Sequence, residues 1–119
     1  MKSTDTLGHF EVLVLTAVLA LRDQAYGKRV HLTVNELAGK EVQLPAIYIT
    51  LDRLEEQGYV TSWMTEARPE RGGRPRRCYK LVEAGERALI DSRNTAKRVH
   101  ETVDKSWRFL KWKPARAKA

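Results

Sequence analysis

Six cationic side chains crowd the stretch from Arg68 to Lys80: Arg68, Arg71, Arg74, Arg76, Arg77 and Lys80, with only Glu70 between them to offset the charge. Guanidinium groups at this density suit phosphate binding, which they achieve through paired N–H donors. Gly72-Gly73 sits among them. A phosphate-cradling loop would need a following Lys-Ser/Thr and a strand-to-helix setting, and neither is present, so the pair reads as a turn. Just upstream, Ala46, Tyr48, Ile49, Thr50 and Arg53 have the types that meet bases: apolar groups for thymine methyls, a phenol for stacking or hydrogen bonding, and a guanidinium for phosphate or guanine. Chemistry of the bond-breaking kind has no candidates. No carboxylate pair or nucleophile with its base stands at usable spacing, so no catalytic residue is assigned. His9, His31 and His100 are far apart and share no metal-ligand spacing with Cys78, so neither a metal nor another cofactor is expected.

The elements that position these side chains follow from periodicity. Ile47, Leu51 and Leu54 recur at i, i+4 and i+7, the buried stripe of a short amphipathic helix. Off that stripe Tyr48, Thr50 and Arg53 point outward, while Asp52, Glu55 and Glu56 form a solvated face turned away from DNA. Tyr48 also has a plainer reading as a half-buried residue with its hydroxyl at the rim of the core. Gly58 stops the helix, a β-like run covers Tyr59 to Thr65, and a second strand covers Arg76 to Leu81. Alternation puts Arg77, Tyr79 and Leu81 on one face and Arg76, Cys78 and Lys80 on the other, so Tyr79 and Leu81 anchor the hairpin. A helix of this kind fits a major groove about 12 Å wide, with the basic hairpin on the flanking phosphates.

Ahead of this unit a first helix is expected from about Leu7 to Arg22, capped by Asp5 or Thr6. Phe10, Leu13, Val14, Ala17, Val18 and Leu21 make a core stripe; Val12, Leu15 and Leu19 make a second one. The second stripe means either a helix central in its own fold or a subunit interface, and the interface reading is preferred because the last helix offers a partner. A second helix runs from Tyr26-Gly27 to Ala38, with Val30, Val34 and Leu37 inward and Gly39 as its stop. Residues 42–44 make a short strand beside the hairpin, and Pro45 occupies the first turn of the next helix.

From Glu83 a long helix continues to Trp112. Leu89, Ala96, Val99, Val103 and Leu110 form a thin heptad seam, interrupted by Ser92 and Ser106. Its remaining surface is charged, so the helix must lay this seam on something, and the first helix of another subunit is the candidate. The dimer interface expected is therefore Val12, Leu15 and Leu19 against Leu89, Ala96, Val99, Val103, Trp107 and Leu110. The organisation is 1–82, 83–112, and a basic tail 113–119 without fixed structure.

Composition agrees with a nucleic-acid partner. Residues 1–60 carry six Lys and Arg against eight Asp and Glu, net −2, and residues 61–119 sixteen against seven, net +9, which together make the +7 of the chain. Positive charge is thus concentrated in and after the hairpin, as a positioned phosphate-binding surface requires. The longest apolar run, Val12 to Leu21, is too short to span a bilayer and lacks a signal-peptide cleavage pattern, so no membrane partner is expected. One cysteine cannot close an intramolecular disulfide, and the expected location is the cytoplasm. Cys78 reads as a small half-buried residue or as a redox sensor beside arginines.

Three motifs carry a family resemblance: Tyr26-Gly27; I-Y-I-T-L-D-R-L-E-E-Q-G from Ile47 to Gly58; and Arg71-Gly72-Gly73-Arg74 followed by R-C-Y-K-L from Arg77 to Leu81. In this order, over roughly Leu7 to Leu89, they resemble the PadR-type winged-helix transcriptional regulators. The sequence departs from that pattern at Cys78, where an aromatic is common, at Val82, where a capping Thr is usual, and at Ile49, apolar on an exposed face. The resemblance implies a mainly α fold with a small β-hairpin, a winged helix-turn-helix plus a long C-terminal helix. It also implies DNA contact by Tyr48, by Lys28 and Arg29 at the helix that crosses the backbone, and by the wing through Arg71, Gly72, Gly73, Arg74, Arg76 and Arg77. For Lys28 and Arg29 a solvated surface is an equal reading. The function so implied is a homodimeric, sequence-specific regulator, usually a repressor, of double-stranded DNA with a near-palindromic operator. A small aromatic or hydrophobic effector is implied too, with Trp107 stacking on it or merely covering the dimer's end. Two other classes stand beside it: a winged helix that binds nucleic acid non-specifically, and a protein-interaction module.

Overall fold

The computed structural model describes residues 7–66 and 72–110. In order, its elements are α1 (His9–Leu21), a 3-10 turn (Arg22–Gln24), α2 (Gly27–Ala38), α3 (Leu44–Glu56), β1 (Val60–Met64), β2 (Arg77–Leu81), α4 (Glu83–Ser106) and a closing 3-10 turn (Trp107–Phe109). Four helices and one antiparallel hairpin make the mainly helical winged fold expected from the sequence. The caps proposed at Asp5 and Thr6, the wing residues Arg68, Glu70 and Arg71, and Trp112 with the tail lie outside the described residues.

α1 begins after Gly8, whose backbone N–H donates to Glu11 Oε1 at 2.8 Å. It packs against α2, α3, α4 and β2 at once, which is why a helix in so small a domain is apolar nearly all round. Val14, Leu15, Ala17 and Val18 are fully buried. This corrects the second stripe: Leu15 belongs to the core of its own domain, Val12 is partly buried, and only Leu19 of the three lies open.

α2 buries Gly27, Val30 and Val34. Leu37, expected inward, is 48% exposed, because the line from Val30 and Val34 runs on to the partly buried Ala38 and leaves Leu37 at its edge in the last turn. The strand expected at residues 42–44 does not form. Both backbone groups of Val42 are taken by α2 side chains: its N–H donates to Asn35 Oδ1 at 2.8 Å and its carbonyl accepts from His31 Nε2 at 2.7 Å. Leu44 already belongs to α3. The third position in the sheet goes instead to Tyr26, which forms an antiparallel bridge with Cys78, while the Tyr79 N–H donates to the Ala25 carbonyl at 2.9 Å.

In α3, Pro45 stands in the first turn and Ile47, Thr50, Leu51 and Leu54 face inward. β1 and β2 pair from Val60↔Leu81 to Met64↔Arg77. β2 is the middle strand, with β1 on one side and Tyr26 on the other, so Cys78 and Tyr79 are both buried although they point to opposite faces. Cys78 is therefore a buried residue rather than a half-buried one.

α4 seats its first turns on β2 and α1, with Leu89 packed against the core. Gly85 is buried there, so close to the start of β1 that an alanine Cβ would collide with the Tyr59 carbonyl oxygen. From Arg93 to Ser106 every residue is exposed, and the molecule extends 60 Å along its longest axis. The α-helix ends at Ser106, short of the expected Trp112; Ser106 Oγ donates to the Thr102 carbonyl at 2.8 Å and the chain tightens into the 3-10 turn.

Candidate nucleic-acid interface

The first two turns of α3 present a compact face. Tyr48 and Ile49 are 43% and 58% exposed, Leu44 is open, and Ala46 is partly buried. Residues at the N-terminal end of such a helix are the ones that approach base edges. Asp52, Glu55 and Glu56 occupy the other end, where with Ile49 and Arg53 they line a shallow cleft. They do not turn away from the Ile49 side, so the repulsive charge is confined to the last turns. Tyr48 is not loose. Its ring and hydroxyl lie where a Cβ on Gly27 would be, so α3 and the start of α2 approach through the absence of a side chain.

Two of the expected base-facing residues are placed differently. Thr50 is only 4% exposed, because it stands three residues after Ile47 and four before Leu54, on the same face. It cannot meet a thymine methyl. Arg53 is half exposed and forms an ion pair with Glu11 of α1, Nη1 to Oε2 at 3.7 Å.

In the wing, Gly72 and Gly73 both adopt positive φ, +73° and +76°, as a tight reversal requires. They and Arg74 are exposed. Arg77 is exposed but tethered: its Nη1 donates to Ser62 Oγ at 3.0 Å, and that hydroxyl donates to Glu55 Oε2 at 2.8 Å, tying the wing to α3. Arg76 lies with its guanidinium 3.8 Å from the centre of the Tyr26 ring. Lys28 and Arg29 are exposed at the start of α2. Tyr79 lies beneath this surface; burial first, then the charge of Asp52, pushes its phenol up to about 12.

Sequence reasoning missed His31 and Asn35, the pair that fixes the turn between α2 and α3. Since a carbonyl can only accept, His31 must carry its proton on Nε2. Polar residues four apart on one helix face were the available signal. The dimer candidates divide: Leu89 serves its own core, whereas Ala96, Val99, Val103 and Leu110 are exposed and Trp107 is partly buried. Among the described residues no group of three or more His, Cys, Asp or Glu could hold a metal ion, and no helix is long and apolar enough to cross a membrane.

The chain is similar to several solved structures. A PadR family transcription regulator from Clostridium difficile superposes with a TM-score of 0.67 at 19% identity, over 82% of this chain and 97% of that one. A PadR family transcriptional regulator from Eggerthella lenta gives 0.64 at 26% identity, over 80% and 78%. A transcriptional regulator from Thermoplasma acidophilum gives 0.65 at 21% identity, over 82% and 91%. A comparison with curated proteins gave no match. The family model for the "Transcriptional regulator PadR-like family" matches residues 15–91, from the middle of α1 into α4, and the chain accordingly belongs to the PadR-like family of DNA-binding transcriptional regulators.

Proposed function

We propose that this regulator is a homodimeric, sequence-specific repressor that reads a near-palindromic operator in double-stranded DNA. The observation that carries the proposal is the juxtaposition of the open Tyr48 and Ile49 face of α3 with a wing that presents Arg74 and Arg77. In this reading Tyr48 and Ile49 meet base edges, and Lys28, Arg29, Arg74 and Arg77, with Gly72 and Gly73 allowing close approach, meet phosphates. The cytoplasm is the compartment that fits such a role.

Support for the dimer is the free half of α4. α4 leaves Ala96, Val99 and Val103 in the open, and since helices in proteins draw most of their stability from packing, a second copy that buried that stripe would stabilise it. Leu19 at the end of α1, rather than the whole second stripe, is the residue left to join it. Two α3 helices would then address half-sites about 34–36 Å apart or a multiple of that. A small aromatic or hydrophobic effector seated beside Trp107 between two such helices would act only by preferring one dimer geometry.

Selection of binding sites from random duplex DNA tests the reading. Recovery of an inverted repeat whose binding survives competitor DNA is the expected result. Equal binding to all sequences would favour a non-specific nucleic-acid protein, and affinity with no salt dependence a protein-interaction module. Tryptophan fluorescence titrated with phenolic acids and planar cationic dyes, followed by operator binding with any hit, tests the effector.

A further inference from the structure

Arg76 differs from Arg77 in where it points. Pairing of Met64 with Arg77 and Ser62 with Tyr79 puts Arg77 on the sheet face that meets α3, so Arg76 lies on the opposite face, with Cys78. There its guanidinium covers the Tyr26 ring at 3.8 Å and is partly buried. It borders a cleft of about 410 Å3 also lined by Asp23, Gln24, Thr65 and Glu66, and the two carboxylates favour a guanidinium there and disfavour a phosphate. Its backbone is held as well: the Arg76 carbonyl accepts from the Thr65 N–H at 2.7 Å, and the Arg76 N–H donates to Thr65 Oγ1 at 3.0 Å. Tyr26 is itself the bridge partner of Cys78 and the residue before Gly27, on which Tyr48 rests.

We infer that Arg76 is a positioning residue rather than a phosphate ligand: stacked on Tyr26, it docks the base of the wing onto the start of α2 and so fixes where Arg74 and Arg77 stand relative to Tyr48. The DNA part of this inference rests on the function proposed above; the docking part does not.

The two parts are tested separately with Arg76→Leu, Tyr26→Leu, their combination, and the conservative Arg76→Lys and Tyr26→Phe, each checked for folding by circular dichroism. Without DNA, amide exchange at Thr65 reads the docking. Arg76→Leu and Tyr26→Leu should each speed it about two- to fivefold, the double variant no more than either, and Tyr26→Phe, which keeps the ring face, should match the parent chain. Unchanged exchange in both leucine variants overturns the inference whatever DNA does. With duplex DNA, both leucine variants should lose affinity by the same factor, non-additively, with Arg76→Lys restoring most of it. Loss confined to Arg76→Leu, with the salt slope smaller by about one, would make Arg76 a direct phosphate contact and overturn the inference. If the parent chain binds no duplex with any salt dependence, the DNA-binding reading fails instead, and amide exchange still decides the docking.

Discussion

Replacing Gly85 with alanine should destabilise the protein although alanine is the better helix former. Gly85 lies in the first turn of α4 at ordinary negative φ, so alanine meets no backbone strain and would bring up to about 1 kcal/mol of helix propensity. Against this, the new Cβ would overlap the Tyr59 carbonyl oxygen, which cannot swing aside because it accepts the Val82 N–H at 3.1 Å. Overfilling a close contact costs about 1–3 kcal/mol, and loss of that hydrogen bond adds about 1 kcal/mol. The net expectation is about 1–3 kcal/mol, a fall of roughly 4–18 °C in Tm at this size, measured by circular dichroism at one fixed protein concentration. Gly27→Ala is the internal control. There the atoms nearest the new Cβ are the hydroxyl and outer ring carbons of the half-exposed Tyr48 side chain, the far end of a side chain that can shift outward, so Tm should move by no more than about 2 °C while operator affinity falls. A Gly85→Ala protein that melts at or above the parent temperature would refute the close junction between α4 and the hairpin; a larger loss in Gly27→Ala would refute the distinction between rigid and yielding neighbours.

Tyr48→Ala should weaken operator binding by about 1–3 kcal/mol in a fluorescence anisotropy titration with little change in Tm; a collapse in stability would make Tyr48 a core residue. Truncation after Ser92 should leave a protein that sediments as a monomer or precipitates, and a well-folded dimer lacking those residues would place the interface elsewhere. Tyr79 predicts an alkaline effect. Its phenol is raised to about 12 from 10.0, so the unfolded chain ionises first, and the stabilisation present below pH 10 is lost as pH rises through that interval. The difference in unfolding free energy between the parent and Tyr79→Phe should therefore be constant below pH 10 and shrink above it; a difference flat to pH 12 would mean that the phenol is solvated.

Local rules written in the sequence were enough for the elements and their order. Apolar spacing at i, i+3 and i+4 marked α1, α2 and α3, Gly39 and Gly58 marked helix ends, and alternation marked the hairpin, because these depend on a residue's own conformational preferences and those of near neighbours. What periodicity left undecided was which of several apolar or borderline positions faces what. The stripe of Ile47, Leu51 and Leu54 leaves Thr50 off it and outward, yet the angle Thr50 shares with Ile47 and Leu54 carries it into the core. Leu15 was available for an interface until α2, α3, α4 and β2 were seen to enclose α1. The site depended still more on tertiary structure. Six cations could be read from the sequence, but the alternation of β2 sends Arg77 toward Ser62 and Glu55 and Arg76 onto Tyr26, fifty residues away. His31 and Asn35 likewise acquire their role only when the turn brings Val42 between them. Such partners are distant in sequence, and packing, not propensity, selects them, so a side chain's charge was legible in advance while the group that holds it was not.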